Sequence, residues 1–467
     1  MESSSFLPRN LAFMAQQMQG YSKNRFRLET TSASTAQAGR IITVNLPENS
    51  LLDMDSLRWY FDVDTTDSTF TDTAFTYQTS TTATAVGALP ADTSSLIKNV
   101  EVYINGVQVQ QGSSEYHTIA NVLKLSRSNR AVDESKDRLV NHGRMIENVA
   151  GATSNACGNN LSLVVDKWYG FLGERSTRFL PTDILGAIQI RITLAENAVL
   201  SPHLVNVSAS GLSWTDDVGS NANIKYEISE MFFTIDSISV DPIYASAMRD
   251  MLSRNEFVPL NFKEYYTFSL DGQTGAKYTN RFSLAATSID KLYAIQRKSD
   301  YNTVGLKCTD LGAFDKDDTE SSHYGDRYVP NYFTYKLFDS ESGGKNGTYR
   351  FQWAINNVFH PQYQARANEA MVDLTYINDK IGDSSVGHLV TSPAAFKAAQ
   401  AVVPLVLCHP DQPLSVQSGY NSHGINSTFA FTSTGLSGTS GGFNSVVIVE
   451  TTAQLRIGAS KSLAVAH

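Results

Sequence analysis

The sequence has few cysteines, few charged residues and no long apolar run. Its three cysteines, Cys157, Cys308 and Cys408, lie far apart without a C-x-x-C pair, so neither a disulfide framework nor a zinc site is indicated. Charged residues make up 18% of the chain and the net charge is −9, whereas a general nucleic-acid coat needs a dense basic surface. No apolar run approaches the roughly 20 residues that span a bilayer, and the N-terminal residues lack the apolar core of a signal peptide. We expect a globular protein of a reducing compartment, without sequence-specific nucleic-acid binding.

Motifs that carry chemistry are also scarce. Residues 438–442 satisfy G-x-S-x-G, but they lie in a Gly/Ser/Thr loop instead of the strand-to-helix turn that a nucleophile elbow requires. The acidic residues of segment 315–320 lack the spacing and central glycine of an EF-hand loop. The nine histidines are scattered, and neither a Walker A sequence nor a dinucleotide-binding G-x-G-x-x-G is present. We predict no enzyme activity, no catalytic, cofactor-binding or metal-binding residues, and no cofactor.

A strand pattern with an internal irregularity lies near the middle of the chain. From Tyr226 to Val240, apolar residues alternate with polar ones, which is the period of a strand with one buried face. The alternation shifts near Phe232 and again near Ser237. We therefore expect a β-bulge within this strand.

A helix pattern follows this strand and separates two β-rich halves of similar length. Asp241 can accept a hydrogen bond as N-cap, and Pro242 suits the first helical position because it has no N–H to leave unpaired. From Phe257 to Leu270 the chain returns to aromatic and β-branched residues. The sequence thus predicts a short helix between two β domains.

The first half carries further strand and turn signals. A β pattern begins at Ile41, and Asn105-Gly106 between alternating segments is the strongest short signal for a hairpin. Residues 113–126 form a helix pattern with Ser114 as its cap. The isoleucines of segment 185–197 face one way on a strand, and we expect residues 198–222 to be a loop.

The second half repeats the order of the first. Segment 281–298 resembles segment 91–108, since both place Thr or Ser before an apolar residue, a lysine and an alternating strand. The closing segment 446–460 corresponds to segment 185–197 by its place in the order, and a helix pattern covers residues 392–402. An order that persists with little identity is typical of a duplicated domain.

The first 40 residues differ from the rest and form a candidate arm. Residues 30–39 are small and polar, which is typical of a flexible linker. The arm is either a frayed tail or an element that docks on a neighbour or a membrane. Six residues would make the docking contacts, three apolar ones on one helical face and three basic ones: Phe6, Leu11, Met14, Lys23, Arg25 and Arg27.

These patterns define an all-β fold class. About sixteen strands in two sets predict two tandem eight-stranded jelly rolls, joined by a short helix-containing linker and bearing long apical loops. The domains are an arm and linker (1–40), a first jelly roll (41–240), a connecting helix (241–258) and a second jelly roll (259–467).

The chain resembles the double jelly-roll major capsid proteins of tailless icosahedral DNA viruses, the group of virophages, polinton-like viruses, adenoviruses and nucleocytoplasmic large DNA viruses. The resemblance lies in the central strand-helix-strand EISEMFFTIDSISVDPIYASAMRDML with NFKEYYTF, the blocks LIKNVEVYINGVQVQ and SIDKLYAIQR, and the closing FLPTDILGAIQIRITLA and TTAQLRIGAS. The sequence lacks the longer aromatic signature of the large algal-virus members in its second block.

The resemblance implies a structural protein of the virion. Three subunits would form a pseudo-hexameric capsomer that tiles an icosahedral shell, with synthesis and assembly in the host cytoplasm. Its partners would be itself, neighbouring capsomers, penton and minor capsid proteins, and an internal membrane where one is present. Segments 126–160, 299–348 and 418–445 would be outer towers or intersubunit seams, and residues 1–28 would lie at the inner base. The alternative from the fold alone is a carbohydrate-binding protein or a glycoside-active enzyme.

Overall fold

The structure is a computed structural model, and it describes the parts of the chain given below. Apart from a few single positions between them, the described ranges are 22–32, 34–67, 84–88, 93–111, 115–127, 161–199, 201–208, 211–215, 224–239, 257–298, 309–310, 328–329, 331–333, 347–377, 401–409, 416–425, 427–436, 442–458 and 462–467.

The first half of the chain forms thirteen described strands. In order they are β1 (Ser22–Glu29), β2 (Ala36–Gln37), β3 (Ile41–Asn45), β4 (Leu51–Asp67), β5 (Thr84–Ala88), β6 (Ile97–Ile104), β7 (Val107–Gln110), β8 (Leu161–Val165), β9 (Phe179–Pro181), β10 (Ile188–Leu194), β11 (Ser201–Ser208), β12 (Gly211–Thr215) and β13 (Ile224–Ser239).

Eight of these strands form two antiparallel four-stranded layers. One layer has the order β1-β13-β4-β8 and the other has the order β3-β10-β6-β7. If the eight strands are numbered along the chain, the orders are 1-8-3-6 and 2-7-4-5. This interleaving of early and late strands is the arrangement of a jelly roll.

The second half contributes eleven described strands. They are β14 (Phe257–Gln273), β15 (Lys277–Ser283), β16 (Ile289–Lys298), β17 (Thr309–Asp310), β18 (Tyr328–Val329), β19 (Arg350–Ile355), β20 (Val358–Arg366), β21 (Val402–Val406), β22 (Thr428–Thr434), β23 (Phe443–Gly458) and β24 (Leu463–Ala466). The two main layers run β14-β23-β16-β21 and β15-β22-β19-β20, which is again 1-8-3-6 and 2-7-4-5. The predicted fold class, two eight-stranded jelly rolls, is confirmed.

Helices occupy matching places in the two rolls. Helix α1 (Tyr116–Arg127) lies between the fifth and sixth strands of the first roll, and α3 (Ala367–Tyr376) lies between the fifth and sixth strands of the second. The short α2 (Thr182–Leu185) follows β9. The structure confirms the helix predicted over 113–126, although Ser114 lies outside the described residues. Helix α3 was not predicted from the sequence.

The central strand carries the predicted irregularities. The register between β13 and β4 shifts between Ser229 and Phe232 and again between Thr234 and Asp236, and Glu230 has a φ of 50°. In the segment that joins the rolls, Ser246 and Asp250 are described and both are helical. Asp241 and Pro242 lie outside the described residues.

Tight hairpins join the fourth and fifth strands of each roll. Asn105 and Gly106 have φ values of 49° and 80°, and Asn356 and Asn357 have φ values of 49° and 67°. Two consecutive residues with positive φ give the type I′ turn, whose twist matches that of the flanking strands. The hairpin predicted at Asn105-Gly106 is confirmed, and its counterpart is the Asn-Asn pair.

Alternating apolar residues fill the space between the layers of each roll. In the first roll, Ile188, Ile190 and Ile192 are all buried, as their spacing predicts, and the rings of Trp59 and Phe233 stack with centroids 5.8 Å apart. In the second roll, the ring centroids of Trp353 and Phe431 lie 4.7 Å apart. Full burial of side chains of this size contributes about 1.5–3 kcal/mol each.

The start of the chain differs from the predicted arm. We assigned residues 1–40 to an arm and linker, but β1 pairs with β13 over eight residues and β2 pairs with Glu227 and Ile228. The first roll therefore includes the segment from Ser22 onward. The alternation rule missed β1 because seven of its eight residues are exposed.

Segment 198–222 is not a simple loop. It contains β11 and β12, which form a three-stranded sheet with β5. The third segment predicted as a tower or intersubunit seam, 418–445, contains β22, a central strand of the second roll whose Phe429 and Phe431 are buried. Both expectations are therefore corrected. Segment 126–160 lies almost entirely outside the described residues, as do Cys157, Cys308 and the motif at 438–442.

The internal repeat is present, but our alignment of it was shifted by one strand. We aligned segment 91–108, which contains β6, with segment 281–298, which contains β16. In the topology, β6 is the equivalent of β19, and β4 is the equivalent of β16. Likewise β10 corresponds to β22, and the closing strand β23 corresponds to β13. The shift arose because β1, the first strand of the first roll, carries no burial signal in the sequence.

Candidate functional site

The described residues of the predicted docking arm lie on β1 and form ion pairs within their own chain. Lys23 Nζ lies 2.8 Å from Asp236 Oδ2, and Arg25 Nε donates to Asp236 Oδ1 over 2.8 Å. Hydrogen bonds from Arg25 and Lys23 hold the pKa of the Asp236 carboxyl below its ordinary value. Arg27 Nε lies 2.8 Å from Glu29 Oε1. The structure thus places the three basic residues together on one strand. Phe6, Leu11 and Met14 lie outside the described residues.

The second roll contains a buried ion pair that corresponds to the pair of Lys23 and Asp236 in the first roll. Lys263 on β14 places Nζ 3.1 Å from Glu450 Oε1 and 2.5 Å from Asp290 Oδ2. Burial alone would lower the pKa of Lys263, but the two carboxylates raise it above its ordinary value on balance. Tyr293 and Thr452 hydroxyls also donate to these carboxylates. A buried ammonium with two carboxylates and further donors is a satisfied structural cluster.

The first contact between the rolls is made by the segment that precedes β9. Its backbone runs beside β14: Ser176 N donates to Asn261 O over 2.7 Å, and Lys263 N donates to Glu174 O over 2.8 Å. Arg175 forms an antiparallel bridge with Phe262 between these two bonds. A short piece of the first roll therefore extends the edge of a sheet in the second roll.

Side chains reinforce this backbone contact. The rings of Phe171 and Phe262 meet edge to face with centroids 5.2 Å apart, and Tyr265 OH donates to Glu174 Oε2 over 2.6 Å. Gly170 has a φ of 74°, and a Cβ at this position would lie 2.7 Å from Gln110 Oε1. The positive φ and the nearby Gln110 side chain therefore favour glycine at position 170.

The second contact joins the start of α1 to β16. Arg297 Nη2 donates to Glu115 Oε1 over 2.9 Å, and the guanidinium lies 4.6 Å from the ring centroid of Tyr332. Burial by itself would raise the pKa of Glu115, but Arg297 and then His117 lower it on balance. The imidazole of His117 packs edge to face on Tyr332 and Phe333. Tyr332 and Phe333 belong to the segment 299–348 that we predicted as a tower or intersubunit seam, and here they are buried at this contact.

Histidine 117 is held in its neutral form at this contact. Its ring is 2% exposed, and Thr118 N donates to Nδ1 over 2.7 Å. Burial lowers the pKa of His117 to about 4. The carboxylate of Glu115 opposes this shift, while Arg297 adds to it.

Metal-binding residues are not brought together in the part of the chain that the structure describes. Within it, no group of three or more His, Cys, Asp or Glu residues could hold a metal ion. Cys408 is a free thiol whose pKa is raised by burial. The described residues also contain no helix long and apolar enough to cross a bilayer.

The geometry of two tandem jelly rolls matches solved structures of virus capsids over nearly the whole chain. A quasi-atomic model of the PBCV-1 virus capsid matches with a TM-score of 0.56 and 11% identity, covering 96% of this chain and 97% of that one. The Faustovirus major capsid protein matches with a TM-score of 0.53 and 10% identity, covering 94% and 91%. The cryo-EM structure of the Sputnik virophage matches with a TM-score of 0.51 and 12% identity, covering 96% and 88%.

These likenesses establish the fold, a double jelly roll. No protein-family model matches the sequence, and no curated protein matches it either. The fold is therefore shared with proteins in which only about one residue in ten is identical.

Proposed function

We propose that this protein is a major capsid protein, of which three copies form a capsomer that tiles an icosahedral virus shell. The observation that carries the proposal is the presence of two rolls with the same strand order in one chain. Three such chains present six similar rolls, which suits a block with a hexagonal outline. The similarity to the PBCV-1 capsid and to the Faustovirus major capsid protein supports the same function.

The contacts between the rolls support a building block rather than two independent domains. A sheet extension at residues 174–176 and a mostly buried ion pair at Glu115 and Arg297 both cross the boundary. Such contacts fix the relative orientation of the two rolls. A lattice subunit needs this rigidity because its neighbours bind to both rolls at once.

The solution mass of the purified protein tests this function. Light scattering should give about 3 × 51.2 = 153.6 kDa, and negative-stain images of the same fraction should show hexagonal outlines. A stable monomer of 51.2 kDa that binds polysaccharides would overturn the proposal in favour of a sugar-binding protein.

Several finer properties follow from this function and are part of the proposal. The protein has a structural role without enzyme activity, is assembled into virions in the host cytoplasm, and contacts neighbouring capsomers, penton and minor capsid proteins, and an internal membrane where one is present. We assign the first roll to residues 22–239 and the second to residues 257–458, following their outermost strands.

The N-terminal arm is assigned to the residues before β1. We propose that Phe6, Leu11 and Met14 contact neighbours or a membrane at the inner base of the shell. Deletion of residues 2–20 tests this role without removing β1, which begins at Ser22. Trimers that form normally but no longer assemble into particles would support it, and unchanged particle assembly would contradict it.

A further inference from the structure

The first strands of the two rolls occupy the same position in their sheets but differ in exposure. β1 and β14 each form the edge next to the last strand, β13 or β23. On β14, Leu260, Asn261 and Phe262 are buried where the segment 174–176 runs beside them. On β1, every residue is exposed except the half-buried Leu28. The same edge is thus covered in one roll and open in the other.

A lysine–carboxylate pair in each roll shows which residues of β1 and β14 are equivalent. Lys263 pairs with Thr452 and reaches Glu450, two residues earlier on the last strand. Lys23 pairs with Ile238 and reaches Asp236, again two residues earlier. Lys23 therefore occupies the place of Lys263, and Ser22 occupies the place of Phe262, the residue bridged by Arg175.

The covering segment also has a counterpart in the second roll. In the first roll it lies between the sixth and seventh strands and returns to the third, where Phe179–Pro181 pairs with β4. In the second roll the chain between β21 and β22 returns in the same way, and Tyr420 bridges Ile289 at the start of β16. Just before this bridge, Val416 is 47% exposed.

We propose that the surface around Val416 covers the open edge of β1, at Ser22 and Lys23, in a second copy of this chain. The contact repeats between chains the one that residues 174–176 make within a chain. It joins unlike surfaces, so each copy offers one open edge and one covering segment, and the contact can propagate from copy to copy until a ring closes. The inference rests on the proposed capsomer and names the surfaces that hold it together.

Charge substitutions in the covering segment test the contact. Val416→Glu should weaken association of the purified protein by roughly tenfold or more, because a buried carboxylate would face a closed interface. Ile425→Glu is the matched control, since Ile425 is a similarly exposed apolar residue of the same connection. Mass distributions measured across a concentration series should differ for Val416→Glu and match the wild type for Ile425→Glu. Equal association of both variants and the wild type would overturn the proposal.

Chemical cross-linking locates the contact independently. In a background with the three native cysteines replaced by serine, Lys23→Cys combined with Val416→Cys should give covalent dimers and trimers with a short bismaleimide. Each single variant should remain at the mass of one chain, because unlike surfaces meet.

The cross-linking result separates this inference from the proposed function. Trimers seen by light scattering without cross-linked chains would overturn the contact and leave the capsid function in place. A protein that is monomeric at every concentration would contradict both.

Discussion

At the scale of single residues, the Glu115–Arg297 pair is an ion pair that joins the first roll to the second. Its side chains are 18% and 4% exposed, and 182 residues of sequence separate them. A buried charge that loses its partner costs several kcal/mol, because neither water nor another group replaces the lost interaction.

We predict that Glu115→Gln lowers the free energy of unfolding by roughly 3 kcal/mol. The glutamine keeps the shape of the side chain but leaves Arg297 without its carboxylate. Urea titration followed by tryptophan fluorescence measures the change. Glu196→Gln is the control, since Glu196 forms an ion pair with Lys98 at the surface and should change stability little. Equal losses in the two variants would argue against a special role of the Glu115 pair.

His117 makes the stability of this contact depend on pH. In the unfolded chain the pKa of His117 is near its ordinary value of 6.5, whereas burial lowers the pKa in the folded chain to about 4. Between these values the unfolded chain binds a proton that the folded chain does not. Stability therefore falls as pH drops through this window, by at most about 1.4 kcal/mol per pH unit.

We predict that His117→Asn reduces the loss of stability between pH 6.5 and pH 4. Asparagine can still accept the Thr118 N–H through its side-chain oxygen but does not titrate. Melting temperatures of both proteins across this range give the comparison. His467→Asn provides a contrast of opposite sign: its hydrogen bond to Glu264 raises the pKa of His467, so its contribution is present at low pH and lost as pH rises through that pKa. Parallel pH profiles for wild type and His117→Asn would refute the assignment.

At the scale of elements, the two hairpins place different residues at the turn positions that require a positive φ. The turn of the first roll uses Asn105 and Gly106, and that of the second uses Asn356 and Asn357. Glycine adopts positive φ without a steric penalty, whereas asparagine adopts it at a small cost.

We predict that Gly106→Ala destabilises the first roll by about 1–2 kcal/mol. A Cβ at this position meets no atom within 4 Å, so the loss reports backbone strain alone. Asn357→Gly is the converse change and should be neutral or slightly stabilising. Chemical denaturation of the two variants measures both effects, and a neutral Gly106→Ala would show that the turn relaxes to another conformation.

Strands with one buried face were visible in the sequence, and those without one were not. Segment 188–194 alternates strictly because it separates the core from solvent, so its prediction needed no tertiary information. β1 reads SKNRFRLE, and of its residues only the half-buried Leu28 packs against the core. Only its pairing with β13 identifies it as a strand, and pairing over 211 residues is not encoded in local periodicity.

The contacts between the rolls were also outside the reach of sequence reasoning. Glu115 could be noted as an acidic residue before a helix, but nothing local connects it to Arg297. The basic residues of β1 were recognised as a cluster because they are close in sequence. Their partner Asp236 was not recognised, since it is brought near by the return of the last strand.

At the scale of the whole molecule, the two rolls should unfold together. The Phe171–Phe262 and Glu115–Arg297 contacts between them are largely buried, so opening one roll exposes apolar surface of the other. We predict a single calorimetric transition for the wild type. Phe171→Ala removes the ring that contacts Phe262, and we expect the single transition to separate into two. Phe61→Ala is the control: it removes a ring from the core of the first roll and should lower that roll's stability without the same loss of coupling. Two transitions already present in the wild type would contradict this coupling.

The open edge of β1 has a consequence for the newly made chain before it meets any partner. An uncovered edge strand is a template on which other extended chains can stack into insoluble fibrils. Every second residue from Lys23 to Arg27 is cationic, and Lys23 and Arg25 share the single carboxylate of Asp236, so the net positive charge that remains repels the same strand of another copy. Identical edges of two newly made chains are thus kept apart.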